Sequence, residues 1–161
     1  MISVCDSYSI RAKQVLFLAR LESGARGAES IDFEGLLAAL VIEDQNEIPS
    51  TLGRLLGPGT RMLSPQHQPF LTAEVATKLL EGIHESLHPS QGIPHSVDMP
   101  LSSSLREAFD AANELAKTLE STEVTPLHLL AVLMRGSHPR VRILRDLGIT
   151  DEEVLKAIRK E

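Results

Sequence analysis

The feature that most narrows what this chain can fold into is that it nearly repeats itself. A helix-patterned segment close to the N-terminus recurs about 93 residues later, apolar residue on apolar residue. Leu16 pairs with Phe109, Ala19 with Ala112, Ile31 with Val124, Leu36 and Leu37 with Leu129 and Leu130, Ala38 with Ala131 and Leu40 with Leu133. So many pairs in one register are not a chance alignment. Further on, Leu52, Leu56 and Gly57 match Ile143, Leu147 and Gly148 at an offset of about 91, as if the second copy had a slightly shorter loop. Repeats of this length are expected to be two copies of one supersecondary unit packed together.

What the copies are made of decides their class. Aromatic residues are 3% of the chain and tryptophan is absent. The core must therefore be built from Leu, Ile, Val and Ala, which favours close helix packing over an aromatic-rich sheet. The expected fold class is all-α. At 161 residues the chain can bury about two-thirds of the surface that its unfolded form exposes, enough for one domain without staples. The lone Cys5 forms no internal disulfide, and six histidines with one cysteine make no Cys-based zinc pattern. No apolar run approaches the roughly 18 residues of a membrane span, and Arg11, Lys13 and Arg20 stand where a signal peptide would be apolar. A cytoplasmic protein with no membrane partner is expected. The net charge of −6, with no basic stripe interleaved with aromatics, sets the overall field against a phosphate backbone, so nucleic acid is excluded as a partner.

Local signals divide the chain into about eight helices, four per copy. Ser9 caps a first helix that runs to about residue 25, where Gly24 and Gly27 end it. Asp32 caps a second, about 33–44, apolar on every side and so expected to be central. A short third begins near Pro49 and stops at Gly57. Residues 57–70 read as a loop from Gly57, Pro58, Gly59, Pro65 and Pro69. A fourth helix, about 72–87, carries Val75, Leu79, Ile83 and Leu87 on one stripe with Ala76 and Leu80, and Glu74, Lys78, Glu81 and Glu85 facing away. A second loop spans 89–100. In the second copy, Ser102, Ser103 and Ser104 offer caps for an amphipathic helix to about Leu119, and Thr125 with Pro126 opens a buried helix to about Met134. Residues 139–147 form a short helix closed by Gly148, and Thr150 with Glu153 reads as a capping box for the last. The expected layout is a single domain over 1–161: repeat one at about 7–58, a connector helix and loops at about 59–100, and repeat two at about 101–160.

Three stretches carry a family resemblance. Tyr8-Ser9-Ile10-Arg11-Ala12, followed by Val15-Leu16 and Ala19, resembles the opening of the Clp N-terminal domain, which has an aromatic, Thr, any residue, Arg and Ala before its first helix. Val124-Thr125-Pro126-Leu127-His128-Leu129-Leu130 is similar to that family's V-T-x-E-H-L-L, with a weaker partner in Ile31-Asp32-Phe33-Glu34-Gly35-Leu36-Leu37. Arg145-Asp146-Leu147-Gly148-Ile149 resembles its L-x-x-L-G-V ending. The resemblance implies two tandem four-helix Clp repeats with a pseudo-two-fold relation. It also implies the role of the front module of Clp AAA+ unfoldases, which binds adaptors or substrate segments and delivers them to the ATPase ring. The sequence holds no G-x-x-x-x-G-K-[ST], so the expectation is a stand-alone recognition domain without the ATPase module. In some members the opening Thr and the Glu before the His form pockets for arginine carrying a phosphate. By position these are Ser9 and Glu34 in copy one, and Ser102 and Leu127 in copy two. Only the first keeps a carboxylate able to pair a guanidinium. Gly35 stands where the family usually has His, and His128 among leucines reads as a satisfied core histidine.

One motif competes. His84-Glu85-Ser86-Leu87-His88 spells H-E-x-x-H, in which histidines one turn apart hold zinc and the Glu activates water. His95 resembles the third ligand of metzincins, but Pro89, Ser90 and Gln91 put one residue too many before Gly92. On a helical projection of about 100° per residue the apolar stripe lies well away from His84 and His88, so the pair is expected to face solvent. The expected function is therefore binding, not catalysis: a Clp N-like domain that takes substrate segments, adaptors or Clp subunits as partners, with no cofactor and no metal, through Ser9, Glu34 and Ser102. The alternative is a zinc-dependent hydrolase using His84, Glu85 and His88.

Overall fold

The computed structural model describes residues 8–25, 27–48, 51, 66–85, 99–136 and 138–160. Among them are seven helices: α1 (Ile10–Ala25), α2 (Phe33–Asp44), α3 (Ala73–Glu85), α4 (Ser103–Thr118), α5 (Pro126–Met134), α6 (Pro139–Asp146) and α7 (Asp151–Arg159). The only extended pairing among these residues is two isolated parallel bridges, Tyr8 with Val124 and Ile31 with Leu101. The all-α class expected from composition and periodicity is the one observed. Of the expected third helix at 49–57 only Thr51 is described, its N–H donating to the Glu47 carbonyl at 3.0 Å. Cys5 and the loop residues 57–65 and 89–98 lie outside the described residues.

The chain divides into two compact units: a central unit, Gln14–Leu105, and a terminal unit that joins Met1–Lys13 to Arg106–Glu161. In the central unit, Asp32 accepts the Gly35 N–H at 2.8 Å and starts α2, whose residues from Gly35 to Asp44 are all buried. A helix apolar on every side has to be enclosed on every side. α3 packs on it through Val75, Ala76, Leu79 and Ile83.

The C-terminus of α2 also holds down the segment that leads into α3. The buried Asp44 carboxylate accepts the N–H groups of Phe70 at 2.8 Å and Leu71 at 2.9 Å. Gln45 Nε2 donates to the Leu71 carbonyl at 2.9 Å, and Asn46 Nδ2 to the His67 carbonyl at 2.9 Å. His67 Nε2 lies 3.0 Å from both the carbonyl and the buried carboxylate of Glu43. Three consecutive side chains, Asp44, Gln45 and Asn46, thus satisfy the backbone of a segment that has no ladder of its own, as buried peptide groups require, and Glu43 holds the His67 ring.

In the terminal unit, α5 packs against α7, and Tyr8 meets Phe109 edge-on with ring centroids 6.0 Å apart. Thr150 Oγ1 accepts the Glu153 N–H at 3.2 Å and starts α7. The Arg145 guanidinium donates to the Met134 carbonyl at the end of α5, where carbonyls lack intrahelical donors.

Helices α1, α2, α4 and α6 end alike. After α1, the Ala28 N–H donates to the Ser23 carbonyl and the Gly27 N–H to the Gly24 carbonyl, with Gly27 at φ 77°. After α6 the same pair runs from Ile149 to Leu144 and from Gly148 to Arg145, with Gly148 at φ 90°. These are Schellman ends, where glycine takes the left-handed position at little cost. After α2 and α4 that position is filled by Asn46 at φ 58° and Glu120 at φ 56°.

Candidate functional site

The residues singled out by the sequence sit on a framework that occurs twice. In the central unit the Ile31 N–H donates to the Pro100 carbonyl at 2.8 Å, and the Ser102 N–H returns to the Ile31 carbonyl at 3.0 Å. Ser102 Oγ then accepts the Leu105 N–H at 3.3 Å and caps α4. Chain growth past Ile31 gives the N-cap Asp32 and, in the first turn of α2, the half-exposed Glu34. In the terminal unit the Ser9 N–H donates to the Val124 carbonyl at 3.0 Å, and Ser9 Oγ accepts the Ala12 N–H at 3.1 Å to cap α1. Past Val124 come Thr125, Pro126 and the half-exposed Leu127 at the start of α5. The structure therefore brings Ser102 to the approach of the helix that carries Glu34, and Ser9 to the approach of the helix that carries Leu127. The first turn of α2 carries one acid, Glu34, and the first turn of α5 holds none.

The equivalent turns are stabilised by different side chains. In α5 the buried His128 turns back on its own N-cap: Nδ1 accepts the Thr125 N–H at 2.9 Å, and Nε2 lies 3.0 Å from Ser121 Oγ. A backbone N–H can only donate, so Nδ1 is the bare nitrogen and Nε2 carries the proton. Burial holds this imidazole's pKa below its ordinary 6.5, consistent with the neutral form that the cap needs. The position matching His128 in α2 is Gly35. There the acceptor for the Asp32 N–H is Ser23 Oγ, at 3.3 Å, which also donates to Asp32 Oδ1 at 3.3 Å. A Cβ on Gly35 would stand 2.0 Å from that hydroxyl and 3.1 Å from the Ala19 carbonyl. The absent side chain makes room for the serine. At the position matching Ser23 the other copy has Ala116, with a histidine where this copy has glycine.

His84 departs from expectation. Its ring does not point to solvent: it is 34% exposed and its Nε2 lies 3.4 Å from the buried carboxylate of Glu22. The α3 stripe turns the ring towards α1, and the helical projection missed this because Glu22 reads as a surface residue of an amphipathic helix. His88 and His95 lie outside the described residues, and among the described ones no group of three or more His, Cys, Asp or Glu is placed to hold a metal ion.

Leu80 also departs from the core stripe assigned to it, being half-exposed. With Ala76, Thr77 and His84 of α3 and with Gln45 and Glu47 after α2, it lines a groove of about 760 Å³ in the central unit. The signal for this groove was the run of small residues, Ala73 and Thr77, a turn apart from Leu80 on one face of α3. The buried acids Glu22, Glu43 and Asp44 had no such signal, since their partners are distant in sequence.

Paired bridges, paired caps and helix ends that recur at one offset define a two-repeat helical domain. Residues 100–161 match the family model of the Clp repeat (R) N-terminal domain. The fold extends over the whole. The N-terminal domain of ClpD, a caseinolytic protease associated chaperone from Arabidopsis thaliana, superposes with a TM-score of 0.63 at 21% identity, over 96% of this chain and 99% of that one. A structure from preliminary investigations of a malarial protein secretion system superposes with a TM-score of 0.68 at 17% identity, over 96% of this chain and 93% of that one. No curated protein matches the sequence. Among the described residues no helix is long and apolar enough to cross a membrane.

Proposed function

We propose that this chain is a polypeptide-binding domain of the Clp N type, which recognises substrate segments, adaptors or Clp subunits and modulates their delivery to a Clp chaperone or protease without catalysing a reaction itself. The reading is carried by the match of residues 100–161 to the Clp repeat together with the same bridge-and-cap framework in both copies. Its binding residues are Glu34 with the nearby Ser102, and Ser9. A carboxylate beside a hydroxyl at a helix start suits a guanidinium whose substituent accepts a hydrogen bond from the hydroxyl and gains from the positive end of the helix dipole.

The test is interferometry of the immobilised chain against a reduced and alkylated client protein, with and without arginine phosphorylation, and against the host's Clp ATPase subunits. Binding to at least one of these, weakened by Glu34→Ala and by Ser102→Ala, is the expected result. A chain that is folded by circular dichroism and binds none of them overturns the proposal.

A further inference from the structure

We propose that the groove between the end of α2 and α3 is a second recognition site, and that its occupant is a client segment in which an aliphatic side chain is flanked by lysine or arginine. This rests on the polypeptide-binding reading above, but on different residues from Glu34, Ser9 and Ser102.

Chemistry and room both point to that occupant. The groove, about 760 Å³, is within the range of sites that enclose a small ligand or the anchoring part of a peptide. Its floor is Ala76, buried, and Leu80, half-exposed, above the buried Ile42. Ala73 and Thr77 are exposed and short, so the face of α3 that continues from Leu80 leaves space where larger residues would close it. The carboxylates come from both lining elements: Glu47 from the turn after α2, and Glu81 and Glu85 from α3, all exposed. Among the described lining residues there is no lysine or arginine to neutralise them. Lys78, on the outer face of α3, pairs instead with Glu74 at 3.2 Å. Apolar floor and acidic rim together exclude an acidic partner, which the net charge of −6 would also repel, and attract a basic one at a rate that salt would slow.

The experiment is fluorescence anisotropy with a short labelled peptide carrying Leu-Leu between Lys and Arg residues, beside a twin in which every basic residue is Glu. The Glu81→Lys/Glu85→Lys double variant and Thr77→Trp, which fills the groove, change exposed positions, and their folding is checked by circular dichroism. The basic peptide is expected to bind and its twin not. The charge reversal should weaken binding about tenfold and flatten its salt dependence, since exposed pairs contribute modestly one by one. Thr77→Trp should weaken binding at every salt concentration. Equal affinity for the twin, or affinity for the basic peptide unchanged in both variants, overturns the proposal. If the alkylated client still binds while the groove variants change nothing, the groove alone fails. If neither peptide nor client binds, the polypeptide-binding reading fails with it.

Discussion

Gly35→Ala isolates the contact that distinguishes the two copies. The substitution should help α2 by about 1 kcal/mol on propensity alone, since alanine replaces glycine inside a helix. The structure reverses that sign. The new methyl would lie 2.0 Å from Ser23 Oγ, so the hydroxyl must leave, and the Asp32 N–H loses it as an acceptor in a part of the fold where Ser23 is fully buried. Withdrawing a partner from a buried donor costs about 1–3 kcal/mol, and the Ala19 carbonyl at 3.1 Å adds crowding. Gly35→Ala should therefore destabilise by about 1–3 kcal/mol net, and Ser23→Ala alone by about 1–2 kcal/mol. In the Ser23→Ala background the clash is gone, and adding Gly35→Ala should be nearly neutral. Thermal and urea denaturation of the four proteins give the coupling energy, expected at about 1–3 kcal/mol. Each kcal/mol should lower the melting temperature by about 2–4 °C for a chain of this size. If Gly35→Ala costs as much without the serine hydroxyl as with it, that hydroxyl is not what excludes a side chain.

Glu120→Gly should stabilise by about 1 kcal/mol, because Glu120 holds φ 56° at a Schellman end where Gly27 serves in the other copy; no rise in the urea midpoint would refute this. For His128 the folded pKa lies below the unfolded 6.5, so the unfolded chain binds the extra proton: its contribution is whole above pH 6.5 and is lost as pH falls below that value. His128→Gln should flatten stability against pH just under 6.5, and an unchanged slope would contradict the assignment. Asp44→Ala removes the charged acceptor of two N–H groups and should cost about 3 kcal/mol, with amide exchange at Phe70 and Leu71 rising first.

Sequence reading succeeded where the determinant is local. Asp32 and Thr150 mark helix starts because a cap bonds within its own first turn, and Gly148 marks an end because only its backbone freedom is needed there. His128 was legible as a buried histidine because it stands among leucines, and its partners, Thr125 and Ser121, are near neighbours. It fell short where the partner is distant. An offset of about 93 makes Tyr8 equivalent to Leu101 and Ile31 to Val124, but it is silent on which loop each opening segment meets. The bridges run from Tyr8 to Val124 and from Leu101 to Ile31, and this is what sets Ser102 at the approach to Glu34. Leu80 and the acids Glu22, Glu43 and Asp44 were beyond reach for the same reason, because amphipathic spacing cannot tell a core stripe from a groove or a surface acid from a buried one.

The two copies thus share a backbone and differ in how each keeps it. Ser23 with Gly35 does in the central unit what His128 with Ala116 does in the terminal one, so the start of the second helix is preserved by two unrelated sets of side chains. With the cap secured either way, the half-exposed first-turn residue beside it is free to differ: Glu34 in one copy, Leu127 in the other. A protein that used both turns alike would have no physical reason to place a carboxylate in one and a leucine in the other. On the proposed function, the carboxylate in one turn and the leucine in the other predict that Leu127→Glu should create phosphoarginine-dependent binding in the terminal unit if Glu34 provides it in the central unit. Failure of Leu127→Glu to add binding, with the Glu34 site intact, would mean that the carboxylate needs surroundings that the α5 turn lacks.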